Sequence, residues 1–227
     1  MSQKAVAGLE LLDDVTDQYR SDQGFMRIKR YRIANRYQDG SCSDGYRCDV
    51  VYRESVDAVG IVLYWTDDSG RRIVILRRCL RPALYFRPRL ISFSEAGPPP
   101  ISIYEIPAGV IEPGEITPEQ IRYRAVQEVW EETGIRIQTR QLLDLGAPIY
   151  TSPGFCIEKV RIMAARIEIQ DWDNRCLTHS GDGSLMEEGA ELVPLLLDEA
   201  IRRCREENYS DGKTELALCR LYDKEDG

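Results

Sequence analysis

Glu128, Glu131 and Glu132 stand at i, i+3 and i+4 in the segment QEVWEETG. On a helix these three carboxylates share one face within a single turn. Like charges so close repel, and acidic groups near a helix C-terminus also oppose the macrodipole. A helix gains nothing from the arrangement unless a cation sits among the carboxylates. Hard oxygen donors in a cluster suit Mg²⁺, with Mn²⁺ as an alternative. A solvated acidic helix end is the competing reading, because charge runs are usually exposed faces. What sets this stretch apart is the order of its parts: a glycine-rich turn, then a helix start, then the acidic triplet.

The elements that must position the triplet are legible around it. The turn PAGVIEPGE precedes Thr117, Pro118 and Gln120, which supply an N-cap, a first helical residue and the second half of a capping box. Gly134 supplies the C-terminal stop. No Gly or Pro interrupts the chain between Glu119 and Thr133, so one helix is predicted from the cap at Thr117 onward. Ile121, Ala125 and Val129, with Trp130, form the apolar stripe expected to pack it against a sheet.

These residues resemble the Nudix signature, Gly-x5-Glu-x7-Arg-Glu-U-x-Glu-Glu-x-Gly-U, where U is apolar. Gly109 and Glu115 match its opening, and Glu128 through Gly134 and Ile135 match its close. Two departures stand out: Gln127 replaces the signature arginine, and Glu115 lies four residues too far upstream of it. Four residues make about one helical turn, so the carboxylate face would keep its direction to within about 40°. Glu119 restores the x7 spacing, so either Glu115 or Glu119 could take the first-glutamate part. Arg124, one turn before Glu128, is the candidate to replace the missing brace. The alternative to a lengthened helix is that four residues loop out ahead of a helix of ordinary length.

Length and composition limit the function classes. A chain of 227 residues allows one large domain, or one with a smaller appendage, and readily buries a core. A net charge of −8 argues against a nucleic-acid-binding surface. No apolar run approaches a membrane span, and the N-terminus lacks the order of a signal peptide. Seven cysteines scattered without a CxxC read as reduced thiols, and a cytoplasmic location is expected. The single histidine, His179, sits in the loop THSGDGS and reads as a surface residue.

Taken in order, residues 1–24 read as a short helix or a frayed terminus. FMRIKRYRIANRY and YRCDVVYRES flank the turn-rich QDGSCSDG as a hairpin. VDAVGIVL and IVILRRCLRP read as strands around the turn TDDSGRR, and residues 83–100 as a long proline-broken loop. Strands are expected at 101–106, 142–150 and 159–169, with the turn TSPGFCIE between the last two. An acidic loop at 170–189, the strand AELVPLLL and two helices complete the chain. The order is that of an α+β sandwich rather than a doubly wound sheet.

Beyond the signature, RRIVILRR with its following RP, YEIPAG, SPGF and DGKTELAL are similar in order to the ADP-ribose and nucleoside-diphosphate-sugar pyrophosphatase branch of the Nudix hydrolases. That resemblance implies an α/β/α sandwich over residues 55–227. It also implies a small antiparallel β-sheet domain over residues 1–54, which builds a homodimer. It implies Mg²⁺-dependent cleavage of ADP-ribose or another nucleoside diphosphate sugar into a nucleoside monophosphate and a sugar phosphate. Glu128, Glu131, Glu132 and the carbonyl of Ala108 would hold the metal. Arg81, Glu105 and Phe155 would border the substrate, and the catalytic base would be Glu188 or Glu187. The alternative is a catalytically silent domain that binds such a ligand as a sensor. Neither reading includes a nucleic-acid or membrane partner.

Overall fold

The computed structural model describes residue 20 and residues 23–90, 100–115, 117–168, 189–206 and 211–224. The expectations for residues 1–19, and for the loop carrying His179, Glu187 and Glu188, lie outside them.

The arginine- and tyrosine-rich runs near the start form β1 (Arg27–Ile33) and β2 (Tyr46–Tyr52), an antiparallel pair in register from Arg27 opposite Tyr52 to Ile33 opposite Tyr46. This two-stranded sheet is separate from the main one. It meets the rest of the chain through Val51, whose N–H donates to the carbonyl of Phe155 at 2.7 Å, and through an Arg53–Glu158 ion pair at 3.7 Å.

The continuous apolar runs become β3 (Ala58–Thr66) and β4 (Arg72–Leu80), buried on both faces and paired antiparallel. Asp67 organises the turn between them by accepting the N–H groups of Ser69 and Arg71, each at 2.9 Å. The segment after Arg81 is not a loop from its start: α1 (Pro82–Leu90) follows directly. Pro82 occupies the first helical position, where a missing N–H costs nothing.

Next come β5 (Ser102–Glu105) on β4, β6 (Ala108–Val110) on β3, and α2 (Pro118–Thr133). The expected strand at 142–150 is two short ones, β7 (Leu142–Asp144) and β8 (Ile149–Tyr150). Gly146 interrupts them with a φ of 88°, and Arg220 bonds the carbonyls on either side of it at 2.9 and 2.8 Å. β9 (Lys159–Arg166) runs parallel to β3, and β10 (Glu191–Leu196) pairs with β4. The core sheet order is therefore β10-β4-β3-β9-β7.

Helices cover both faces. Val59, Ile61 and Leu63 of β3, with Ile75 of β4, pack against Ile121, Ala125 and Val129 of α2. On the other face Val62, Val74, Leu76, Ile162 and Ala164 meet α3 (Leu197–Glu206) and α4 (Gly212–Tyr222). The fold is the expected α+β, α/β/α sandwich. Trp130 does not belong to the apolar stripe. It is 43% exposed and lies under the guanidinium of Arg136, because about 100° per residue carries it half a turn away from Ile121. Among the described residues no helix is long and apolar enough to cross a membrane.

Candidate functional site

The acidic end of α2 is fixed by its own caps. Thr117 Oγ1 accepts the N–H of Gln120 at 3.2 Å, and Gln120 Oε1 accepts the N–H of Thr117 at 3.0 Å, a reciprocal capping box. At the other end Gly134 takes φ 70° and donates its N–H to the carbonyl of Trp130 at 2.9 Å. Thr133, fully buried, donates its hydroxyl to the carbonyl of Val129. The helix therefore starts at Pro118, and the extra turn lies within it rather than in a loop.

Glu128 projects from this helix onto β6. Its carboxylate occupies the space beside Gly109, where a built Cβ would meet Glu128 Cδ at 1.8 Å. Arg124 steadies it from one turn back, with Nη1 3.8 Å from Glu128 Oε1. The same guanidinium grips Glu115 through Nε and Nη2 at 3.0 and 2.9 Å. These bonds hold the Glu115 carboxyl below the usual glutamate range, and Glu115 in turn raises the Arg124 guanidinium. Glu115, not Glu119, thus pairs with the bracing arginine. Arg124 stands nine residues beyond Glu115, against eight between glutamate and arginine in the signature. The additional turn separates the arginine from Glu128. Glu115 also accepts the N–H of Glu112 at 2.8 Å, which ties the Pro-Gly turn to the helix.

Glu132 is held at both oxygens. Oε2 accepts the N–H of Ala108 at 2.8 Å, and Oε1 lies 2.5 Å from Nη1 of Arg77. Just ahead of β6 the carbonyl of Pro107 accepts the N–H of Ile61, and Gly109 lies opposite Val59, so the intervening Ala108 turns its peptide groups away from β3. Its carbonyl therefore opens to the same side as the N–H that reaches Glu132. Arg77 is only 2% exposed. Sequence reasoning missed it. Strand alternation places it on the face of β4 shared with Ile75, under α2, but an Arg-Arg pair does not say which member turns inward. Glu131 points out into solvent.

Arg81 and Glu105 come together, but as partners of one another. Arg81 Nε donates to Glu105 Oε1 at 2.9 Å, and its Nη2 bonds the other oxygen. Lys213 approaches that second oxygen at 3.7 Å and also pairs with Asp211 at 2.8 Å. Glu105 is buried, whereas the Arg81 side chain keeps 36% of its surface exposed. Phe155 is 57% exposed on the turn that docks against β2. Glu187 and Glu188 lie outside the described residues.

The donor set suits a hard divalent cation in kind: carboxylates from one helix end, a backbone carbonyl from β6, and a glycine that leaves Glu128 its room. It is not a ready-made cage. Among the described residues no three acidic, histidine or cysteine side chains already surround one cation position. The helix end is also not the self-repelling triplet expected from sequence. Arg124 and Arg77 compensate Glu128 and Glu132, and Glu131 faces water.

No family model matches the chain. A curated relative, the methanol dehydrogenase activator of Bacillus methanolicus, is 33% identical over 117 residues, which are 52% of this chain and 56% of that protein. The match thus spans about half the length of the curated relative. It supports a Nudix-like domain. It also corrects the placement in the ADP-ribose and nucleoside-diphosphate-sugar pyrophosphatase branch, because this relative is of Nudix type but of a different branch. The motifs that suggested the branch are short.

Proposed function

We propose that the chain is a divalent-cation-dependent hydrolase that cleaves the phosphoanhydride of a nucleoside diphosphate bearing a sugar, ADP-ribose being one such substrate. The observation that carries this reading is the seat of Glu128 against Gly109, with Glu132 anchored on the adjoining Ala108. Two helix carboxylates and the peptide edge of β6 that faces away from β3 converge there. A solvated acidic helix end would not need a glycine under one of its side chains.

Magnesium, when bound, offsets the carboxylate charge so that a diphosphate can approach, and polarises the phosphoryl oxygen. The chain's own residues do the rest. Glu115 and Arg124 fix the orientation of Glu128. Arg81, bonded to Glu105 through Nε and Nη2 and to the Leu80 carbonyl through Nη1, keeps 36% of its side chain exposed, where its charge can meet a phosphate. In this reading a loop glutamate, Glu188 or Glu187, accepts a proton from water as the water oxygen bonds phosphorus. The bridging P–O bond breaks, and the leaving phosphate departs with its electron pair.

A second reading is favoured by the Arg77–Glu132 pair, which closes one carboxylate without metal. In that reading the domain binds the nucleotide without hydrolysing it, a role in keeping with a relative whose name is that of an activator. The purified chain, incubated with a panel of nucleoside diphosphate sugars and Mg²⁺ and analysed by chromatography, separates the two. Magnesium-dependent formation of nucleoside monophosphate, lost in Glu128→Gln, supports the hydrolase. Saturable binding without turnover overturns it in favour of the second reading, and neither binding nor turnover overturns both.

A further inference from the structure

We propose that Arg77 is a resident counter-cation of the carboxylate cluster, which holds Glu132 in the metal-free protein and competes with a divalent ion for that carboxylate. This rests on the reading of Glu132 as a cation ligand.

The position of Arg77 is not one that a surface arginine drifts into. Strand alternation puts it on the sheet face that carries Ile73 and Ile75, beneath α2. At 2% exposure its guanidinium is as buried as the aliphatic core. A cation in such a place is strongly disfavoured unless an anion meets it. Glu132 supplies such an anion at 2.5 Å, itself only 12% exposed at the side chain. The other Glu132 oxygen accepts the N–H of Ala108, so the carboxylate is held at both ends by groups that need no metal.

A divalent ion that uses Glu132 must then share it with a fixed positive charge. Both cations draw on the same carboxylate and repel one another in a poorly hydrated setting. Metal binding therefore either loosens the Arg77 contact or proceeds against it, and in both cases Arg77 lowers metal affinity. The same pair spares the metal-free protein the burial of an unpaired carboxylate. Arg77 thus makes the site one that responds to metal concentration instead of one that needs metal to fold.

Mn²⁺ affinity, measured by calorimetry and by electron paramagnetic resonance on wild type and Arg77→Met, tests this without any turnover assay. The variant should bind Mn²⁺ about tenfold more tightly, and Mg²⁺ should raise its melting temperature by more than it raises that of wild type. In Arg77→Met/Glu132→Gln the gain should vanish, since the contested carboxylate is gone. Equal Mn²⁺ affinity in wild type and Arg77→Met overturns the proposal, as does a gain that survives in the double variant. Should Arg77→Met not fold, wild type labelled with ¹⁵N-arginine decides. The Arg77 side-chain resonance, assigned by its loss in Arg77→Lys, should shift as Mg²⁺ saturates, and an unmoved resonance overturns the idea. No Mn²⁺ binding by either protein overturns both this and the hydrolase. Tighter binding in the variant, without hydrolysis of any nucleotide sugar, upholds the role of Arg77 while removing the hydrolase.

Discussion

The carboxylate of Glu128 fills the space in which a side chain on residue 109 would begin: a Cβ there would lie 1.8 Å from its Cδ and about equally close to both oxygens, at 2.1 and 2.2 Å. Gly109 has no positive φ, so proximity alone demands glycine. Gly109→Ala should force the Glu128 side chain aside and cost about 1–3 kcal/mol, the range for overpacking a filled site. Turnover should fall with it. Adding Glu128→Ala to Gly109→Ala should return stability but not activity. A double-variant cycle with no coupling between the two positions would contradict the contact.

Arg124 links Glu115 to Glu128, while Gln127 holds the place that the Nudix signature gives to arginine. Arg124→Ala should therefore reduce kcat strongly, and Gln127→Ala should change it little. Both are read from steady-state kinetics on whichever nucleotide substrate the panel identifies. Equal losses in the two variants would place the brace at Gln127.

The Arg124–Glu115 pair also has a pH signature. Glu115 is held below its ordinary range in the folded protein, chiefly by its hydrogen bonds from Arg124. Its contribution to stability is thus complete above the unfolded-state value and disappears as pH falls through the lowered folded value. Urea unfolding in metal-free buffer should show wild type more stable than Arg124→Ala by about 1–2 kcal/mol near neutrality. The difference should close on acidification below the ordinary glutamate range. A gap that persists in strong acid would mean that packing, not charge, makes the difference.

Thr214 is fully buried at the start of α4, where its Oγ1 accepts the N–H of Ile106 at 3.0 Å and donates to Asp211 Oδ2 at 2.7 Å. It ties the chain between β5 and β6, just ahead of Ala108, to the opposite helix layer. Thr214→Val keeps the shape but leaves a buried N–H without its acceptor, which should cost about 1–3 kcal/mol. Hydrogen exchange should then speed up at Ile106 more than across β9.

What the sequence disclosed about this site was local. Thr117, Pro118, Gln120 and Gly134 announce α2 because caps act within a few residues, and Arg124 could be placed because it lies on the same helix as Glu128. What stayed hidden was decided across the sheet. Arg77 meets Glu132 only because β4 and α2 lie against each other, and no periodicity tells which arginine of a pair turns inward. The parallel pairing of β3 with β9 joins strands far apart in sequence, and their composition names no partner. Trp130 is apolar yet exposed, because helical angle and not hydrophobicity sets the face it joins.

The Arg77 contact reverses one expectation drawn from sequence. If the helix end repelled itself, removing a charge at Glu132 would leave the metal-free protein as stable as before, or slightly more so. In the structure Glu132 is instead an anion that helps to hold a buried arginine. Glu132→Gln replaces it with a neutral amide whose oxygen can still accept the N–H of Ala108 but no longer balances Arg77. Breaking a buried ion pair on one side costs about 3–5 kcal/mol, and the retained amide should keep the loss toward the lower end. The variant should therefore melt well below wild type in the absence of metal, and Arg77→Met introduced alongside should recover much of the loss, since both partners are then gone. If metal-free Glu132→Gln melts at or above the wild-type temperature, mutual repulsion of the carboxylates outweighs the Arg77 pair.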